Sequence, residues 1–119
     1  MNYSRGDIIL ADLPFTERSG SKVRPALVVQ NDRNNGRLDD VVLVLITRTT
    51  IRSASEPTQL LVDMSTPEGQ STGLLHTSAI KCEHIITLHR SFVQRVIGRL
   101  PEPLMRKVNN CLKTSLELA

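Results

Sequence analysis

Apolar residues in this chain come in short runs separated by turn-forming and charged residues, and one helical pattern closes it. DIILADL (Asp7–Leu13) reads as a first strand, stopped by Pro14. Phe15 to Lys22 (FTERSGSK) is a polar loop around Gly20. VRPALVVQ (Val23–Gln30) is a second strand, with Pro25 near its start, where a missing N–H is tolerated best. The turn region Asn31–Asp40 carries the pair Asn35-Gly36, the strongest short hairpin signal. VVLVLIT (Val41–Thr47) is a third strand, apolar on both faces and therefore expected to be central and covered. A polar loop, Arg48–Pro57, leads to a fourth strand at Thr58–Asp63. A turn at Gly69–Gly73 leads to a fifth at Ala79–Leu88, and Arg95–Leu100 is a short sixth. Over Glu102–Leu118, Leu104, Val108, Cys111, Leu112, Ser115 and Leu116 recur at helical spacing and make one apolar stripe. Pro101 and Pro103 suit its first turn. Short strands closely spaced, followed by one helix, predict a mostly β, α+β fold: a small antiparallel barrel with a C-terminal helix.

Composition narrows the class. A chain of 119 residues is one domain, here residues 1–119. Hydrophobic residues at 39% exclude wholesale disorder. Aromatics at 3% require a core of Val, Leu and Ile. The net charge is only +3, but its distribution is uneven. Arg18–Arg52 holds seven Lys/Arg against three Asp, whereas Ser53 onward holds seven against six acids. A local basic excess in loops suits an anionic partner; the plain alternative is an ordinary solvated surface. Cys82 and Cys111 form no CxxC and no disulfide framework, which predicts a reduced, cytoplasmic setting. MNYSRGD has no apolar h-region, so no signal peptide is expected. The longest apolar run, VVLVLI at 41–46, is too short to span a bilayer, so no membrane association is expected.

Most chemical constellations are absent. His76, His84 and His89 are the only histidines, and no HExxH occurs. Cys82 and His84 share a strand face, but a metal needs three or four convergent ligands, so no metal site is expected. The Ser-nucleophile elbow and the glycine-rich nucleotide loops are missing, so no cofactor is expected. Two residues stand out. Arg24 sits beside Pro25 at the mouth of an apolar strand, where a guanidinium fork held rigidly suits phosphate; most strand-end arginines are surface ion pairs. Thr47 ends the apolar third strand, where a hydroxyl donor is available; threonine is also common there through β propensity.

RGDIILADLPF at 5–15, KVRPALVVQND at 22–32, VLITRTT at 44–50 and GLLHTSAIKCEHIITL at 73–88 resemble the MazF/PemK family of type II toxin–antitoxin toxins, across essentially the whole chain. The resemblance implies an SH3-like barrel, a homodimer, and metal-independent, sequence-selective cleavage of single-stranded RNA (mRNA). It also implies a cognate antitoxin protein. By position, Arg24 corresponds to the catalytic arginine and Thr47 to its phosphate-orienting partner. Lys81 and Glu83 flank Cys82 where the PemK branch carries Arg and Asp, which makes Glu83 an acid–base candidate and Lys81 an RNA-binding one. Asp7 matches an acidic residue that is structural or substrate-facing. Arg18, Lys22 and Arg48 belong to the basic loops that would meet RNA. The ribose 2′-hydroxyl is then the nucleophile, giving a 2′,3′-cyclic phosphate and a 5′-hydroxyl, with Glu83 or a histidine as base. A CcdB-like toxin that binds DNA gyrase without cutting RNA is the alternative of another class. A non-catalytic RNA-binding barrel would be expected to show stacking aromatics, and only Tyr3, Phe15 and Phe92 exist.

Overall fold

The computed structural model describes residues 2–13 and 22–119. Its strands are β1 (Asp7–Leu13), β2 (Lys22–Val28), β3 (Asp40–Thr47), β4 (Gln59–Val62), β5 (Ser78–His89) and β6 (Val93–Arg99). The helices are α1 (Asp32–Asn35), α2 (Pro67–Gln70) and α3 (Glu102–Leu116), and a single 3₁₀ turn, Arg90–Phe92, joins β5 to β6. All strand pairs are antiparallel, in the order β4-β5-β3-β2-β1-β6.

The apolar run of β3 is explained by its place. Val44 and Ile46 face one core, with Ile8, Leu27, Ile80 and Leu100. Val41 and Leu43 face another, with Ile9, Ala11, Val28 and Leu88. A strand covered on both faces has no need of polar positions. Helix α3 closes the first core with Met105, Val108 and Cys111. The expected stripe holds at Val108 and Cys111, and Leu104 and Leu112 pack partly against it. Leu116 is 53% exposed, and the helix ends there, with Glu117 in the left-handed region at φ 54.

Two expectations change. The Asn35-Gly36 pair makes no hairpin turn. The Asn31 side chain caps a short helix by accepting from the Asn34 N–H at 2.8 Å. Gly36 ends that helix at φ −85, outside the positive region that a type I′ turn requires. The second change is α2, a short helix where a plain turn was expected; Thr66 caps it and Pro67 opens it. The mostly β fold with a C-terminal helix is the one expected, but strand pairing does not close the ring, since β4 and β6 are its unpaired ends. The segment before β5 packs closely on β6: Gly73 lies against the Ile97 carbonyl and Gly98 against the Thr72 carbonyl, leaving no room for a β-carbon at either glycine. No helix among the described residues is long and apolar enough to cross a membrane.

Candidate functional site

Arg24 is the third residue of β2, opposite Ala11 on β1, and burial along the strand begins only at Ala26. Its guanidinium is exposed, and among the described residues nothing binds it by hydrogen bond or ion pair. Thr47 is the last residue of β3, opposite Ala79. Its Oγ1 accepts the Thr49 N–H at 3.1 Å, which turns the chain into the following loop and leaves the hydroxyl proton free to be donated.

Strand β5 carries a bulge at the centre of the site. Val44 pairs with Ile85, but the next residue, Leu45, pairs with Lys81, so residues 82–84 have no partner on β3. Bulges re-aim side chains, and here consecutive residues go to different surroundings. Cys82 enters the core and its N–H donates to the Thr58 carbonyl at 2.9 Å. Burial, with Cys111 hydrogen-bonded beside it, pushes its thiol up to about 12, so it is no thiolate nucleophile. The Glu83 carboxylate accepts from Gln59 Nε2 at 2.7 Å and from Thr58 Oγ1 at 3.1 Å. Partial burial raises its pKa, but those bonds, its own backbone N–H and nearby Lys81 prevail and hold it below the usual carboxylate range.

Lys81 and His84, from either side of the bulge, line a cavity of about 840 Å³. Arg24, Thr47, Arg48, His76 and Arg95 also line it, and leucines from β1, β3 and the 74–75 segment supply its apolar wall. Among the described residues, four that line it are cations, two are histidines, and none is Asp or Glu. A concave apolar surface with a few polar groups is the usual form of a ligand site, and a group of cations in it favours an anion.

Of the residues singled out by sequence, the fold brings Arg24, Thr47, Arg48 and Lys81 together here. Glu83 is bound to β4 and is not among the lining residues. Asp7 pairs with Arg99 at 2.9 Å and accepts the Ser4 N–H at 2.8 Å, also outside the cavity. Lys22, exposed at the start of β2, does not line it, and Arg18 lies outside the described residues. Sequence reasoning passed over Arg95 and gave His76 and His84 no specific place. The histidines stand at no spacing that marks a site, and Arg95 belongs to no motif. Among the described residues no three of His, Cys, Asp and Glu are placed to hold a metal ion.

Residues 4–116 match the family model described as PemK-like, MazF-like toxin of type II toxin–antitoxin system. The chain is 33% identical to endoribonuclease EndoA of Bacillus subtilis over 119 residues, 99% of this chain and 97% of that one. It is 32% identical to endoribonuclease MazF of Staphylococcus saprophyticus over 115 residues, covering 96% and 91%. Its fold superposes on a mycobacterial endoribonuclease solved in complex with its cognate antitoxin, with TM-score 0.79, 26% identity and 98% and 97% coverage. A MazE–MazF structure from Deinococcus radiodurans, at 18% identity and TM-score 0.73, covers 100% and 99% and shares the fold.

Proposed function

Because this chain belongs to the PemK-like, MazF-like toxins of type II toxin–antitoxin systems, we propose that its cation-lined cavity binds single-stranded RNA and that the protein is an endoribonuclease. The observation that carries this reading is the lining itself: Arg24, Arg48, Lys81 and Arg95 around one cavity with no carboxylate among the described lining residues.

The chemistry follows from what the cavity offers. The 2′-oxygen of the substrate attacks the adjacent phosphorus while its proton passes to a base. Charge accumulates on the non-bridging oxygens of the pentavalent phosphorane. Arg24 meets that charge with a planar fork, and Thr47 donates its hydroxyl to the same oxygens; such prepositioned donors usually supply the largest catalytic contribution. The bond to the 5′-oxygen then breaks, and that oxygen takes a proton. In our reading His76 and His84 are the acceptor and donor, since both line the cavity and imidazole is the side chain most used for such transfers. Glu83 keeps the bulge in place, and so the position of His84. The products are a 2′,3′-cyclic phosphate and a 5′-hydroxyl, formed without a metal and at preferred sequences.

The same cavity is where an acidic segment of a cognate antitoxin would compete with RNA, and a homodimer is the assembly we propose. The gyrase-binding alternative has no observation in its favour. The relatives above are named for RNA cleavage, and a gyrase binder has no use for a phosphate site. Incubation with a long RNA in EDTA, followed by mapping of the cut ends, tests the proposal. Discrete cuts with cyclic-phosphate and 5′-hydroxyl ends are expected. An intact RNA, or cleavage that needs added metal, would overturn it.

A further inference from the structure

Arg95 has no counterpart among the motifs of the sequence, yet it occupies a defined place relative to Arg24. On β1, Leu10 pairs with Pro25 of β2 on one side and with Arg95 of β6 on the other. Arg24 is the residue before Pro25. The two arginines therefore flank β1, and adjacent strands lie about 4.8 Å apart, so their strands are separated by roughly 10 Å. Both side chains line the same cavity.

The neighbourhood leaves Arg95 unneutralised. The next arginine on β6, Arg99, is paired with Asp7 at 2.9 Å. Asp12, next to Ala11 on β1, is taken by a neutral group: Gln94 Nε2 donates to both of its carboxylate oxygens at 3.2 Å. Gln94 is the extra residue of a β1–β6 bulge, where Leu10 pairs with Arg95 but Ala11 pairs with Val93. That bulge hands the nearby carboxylate to an amide and leaves the guanidinium beside it, among the described residues, with no hydrogen bond or ion pair.

We propose that Arg95 binds the phosphate next to the one that reacts at Arg24, and so sets which linkage of the RNA lies over the catalytic groups. This rests on the RNA-cleaving reading of the cavity. A strand of RNA crossing β1 would bring its reacting phosphate to Arg24 and the neighbouring one to Arg95. The reacting phosphate changes charge and shape and needs the planar fork. The neighbouring phosphate does not, so a point charge serves it nearly as well.

The test uses the whole protein and a short RNA spanning a mapped cut site. A copy with 2′-deoxyribose at the cleaved nucleotide reports Kd by fluorescence anisotropy, and the all-ribose form reports kcat. Arg95→Ala should weaken Kd by about tenfold, the scale of one charged hydrogen-bonded contact, with kcat within about threefold of wild type. It should also flatten the slope of log K against log salt by about 0.7, as for one phosphate lost from a single strand. Arg95→Lys should stay within about threefold of wild type in Kd. Arg106→Ala on α3 should change neither constant.

Replacing the flanking phosphates one at a time with a neutral methylphosphonate identifies the contact. One replacement should weaken wild type about tenfold and leave Arg95→Ala unaffected. A wild-type Kd for Arg95→Ala, or replacements that weaken both proteins equally, would overturn the assignment. If kcat fell and Kd did not, Arg95 would belong with the reacting phosphate instead. If wild type neither bound nor cut RNA, the reading of the cavity itself would fall first.

Discussion

Gln59 Nε2 lies 2.7 Å from a carboxylate oxygen of Glu83, and this bond ties the edge strand β4 to the bulge of β5. If Glu83 acts by holding the bulge, Gln59 and Glu83 act as one unit. Gln59→Ala and Glu83→Ala should each slow RNA cleavage several-fold, and the double variant should be no slower than the worse single one. Such non-additivity is the signature of a shared contact. Cleavage rates on one oligonucleotide decide it. A loss of about a hundredfold or more in Glu83→Ala, beside a near-normal Gln59→Ala, would make Glu83 the proton acceptor.

Arg24→Ala should leave the fold intact, because its exposed side chain belongs to neither core. Cleavage should fall by at least about a hundredfold, the usual cost of removing one donor to a developing oxyanion. Arg24→Lys should not restore it, since an ammonium lacks the fork. Thr47→Ala should lose less, because a neutral donor contributes less than a charged one. Near-normal cleavage by a folded Arg24→Ala protein would remove Arg24 from the chemistry.

Acid should weaken the N-terminal turn through Asp32. Its carboxylate accepts the Arg5 N–H at 2.6 Å and a bond from Asn35, and these hold its pKa below the ordinary value. A carboxyl depressed in the folded state favours folding above its unfolded pKa of about 3.9. That contribution disappears as pH falls through the lower folded value. Urea midpoints measured from pH 6 to pH 2 should therefore drop less steeply in Asp32→Asn than in wild type. Parallel curves would show that Asp32 does not drive the acid response.

Two glycines should answer oppositely to alanine. A β-carbon at Gly98 would run into the Thr72 backbone, which cannot swing away as a side chain can. Gly98→Ala should cost about 3 kcal/mol, the upper end of overpacking penalties. At Gly36 the nearest atoms would be 3.7 and 3.8 Å away and φ is −85. Gly36→Ala should be neutral or stabilise by up to about 1 kcal/mol by restricting the unfolded chain. Denaturant midpoints for the two variants check both signs.

A homodimer should be the species present at micromolar concentration. Val23, Ile51 and Leu61, none of which lines the cation-lined cavity, are exposed at 46%, 87% and 38%, apolar side chains that a second copy would cover. Sedimentation should give twice the 13.2 kDa chain mass. A single 13 kDa species would count against it.

Much of this was legible in the chain because local pattern and tertiary placement agree. The two-sided apolar run of β3 announced a covered central strand, and Val108 and Cys111 announced the buried face of α3. Asn35-Gly36 misled because a preference for one turn was outweighed by the Asn31 cap, which makes a helix of the preceding residues. Met105 is buried although it falls outside the stripe that spacing picks out. In the site, Arg24 and Thr47 were visible because motif and strand end coincide. Arg95 was not, since its relation to Arg24 exists only once β6 pairs with β1. Nor did spacing reveal the bulge at Cys82–His84, which reflects a mismatch between two strands rather than a property of either.

That mismatch also governs how the gene can vary. Lys81, Cys82, Glu83 and His84 alternate among cavity, core and neighbouring strand within four codons. Exchanges of residue type there need only suit one surrounding at a time. Losing the Lys81 codon would instead move every later residue of β5 one place along, so that side chains change surroundings, setting the Glu83 carboxylate in the core and the Cys82 thiol against RNA. Length at this tetrapeptide should therefore be held more strictly than composition, and an in-frame deletion scan would find the narrowest tolerance of the chain here, not at the arginine it serves.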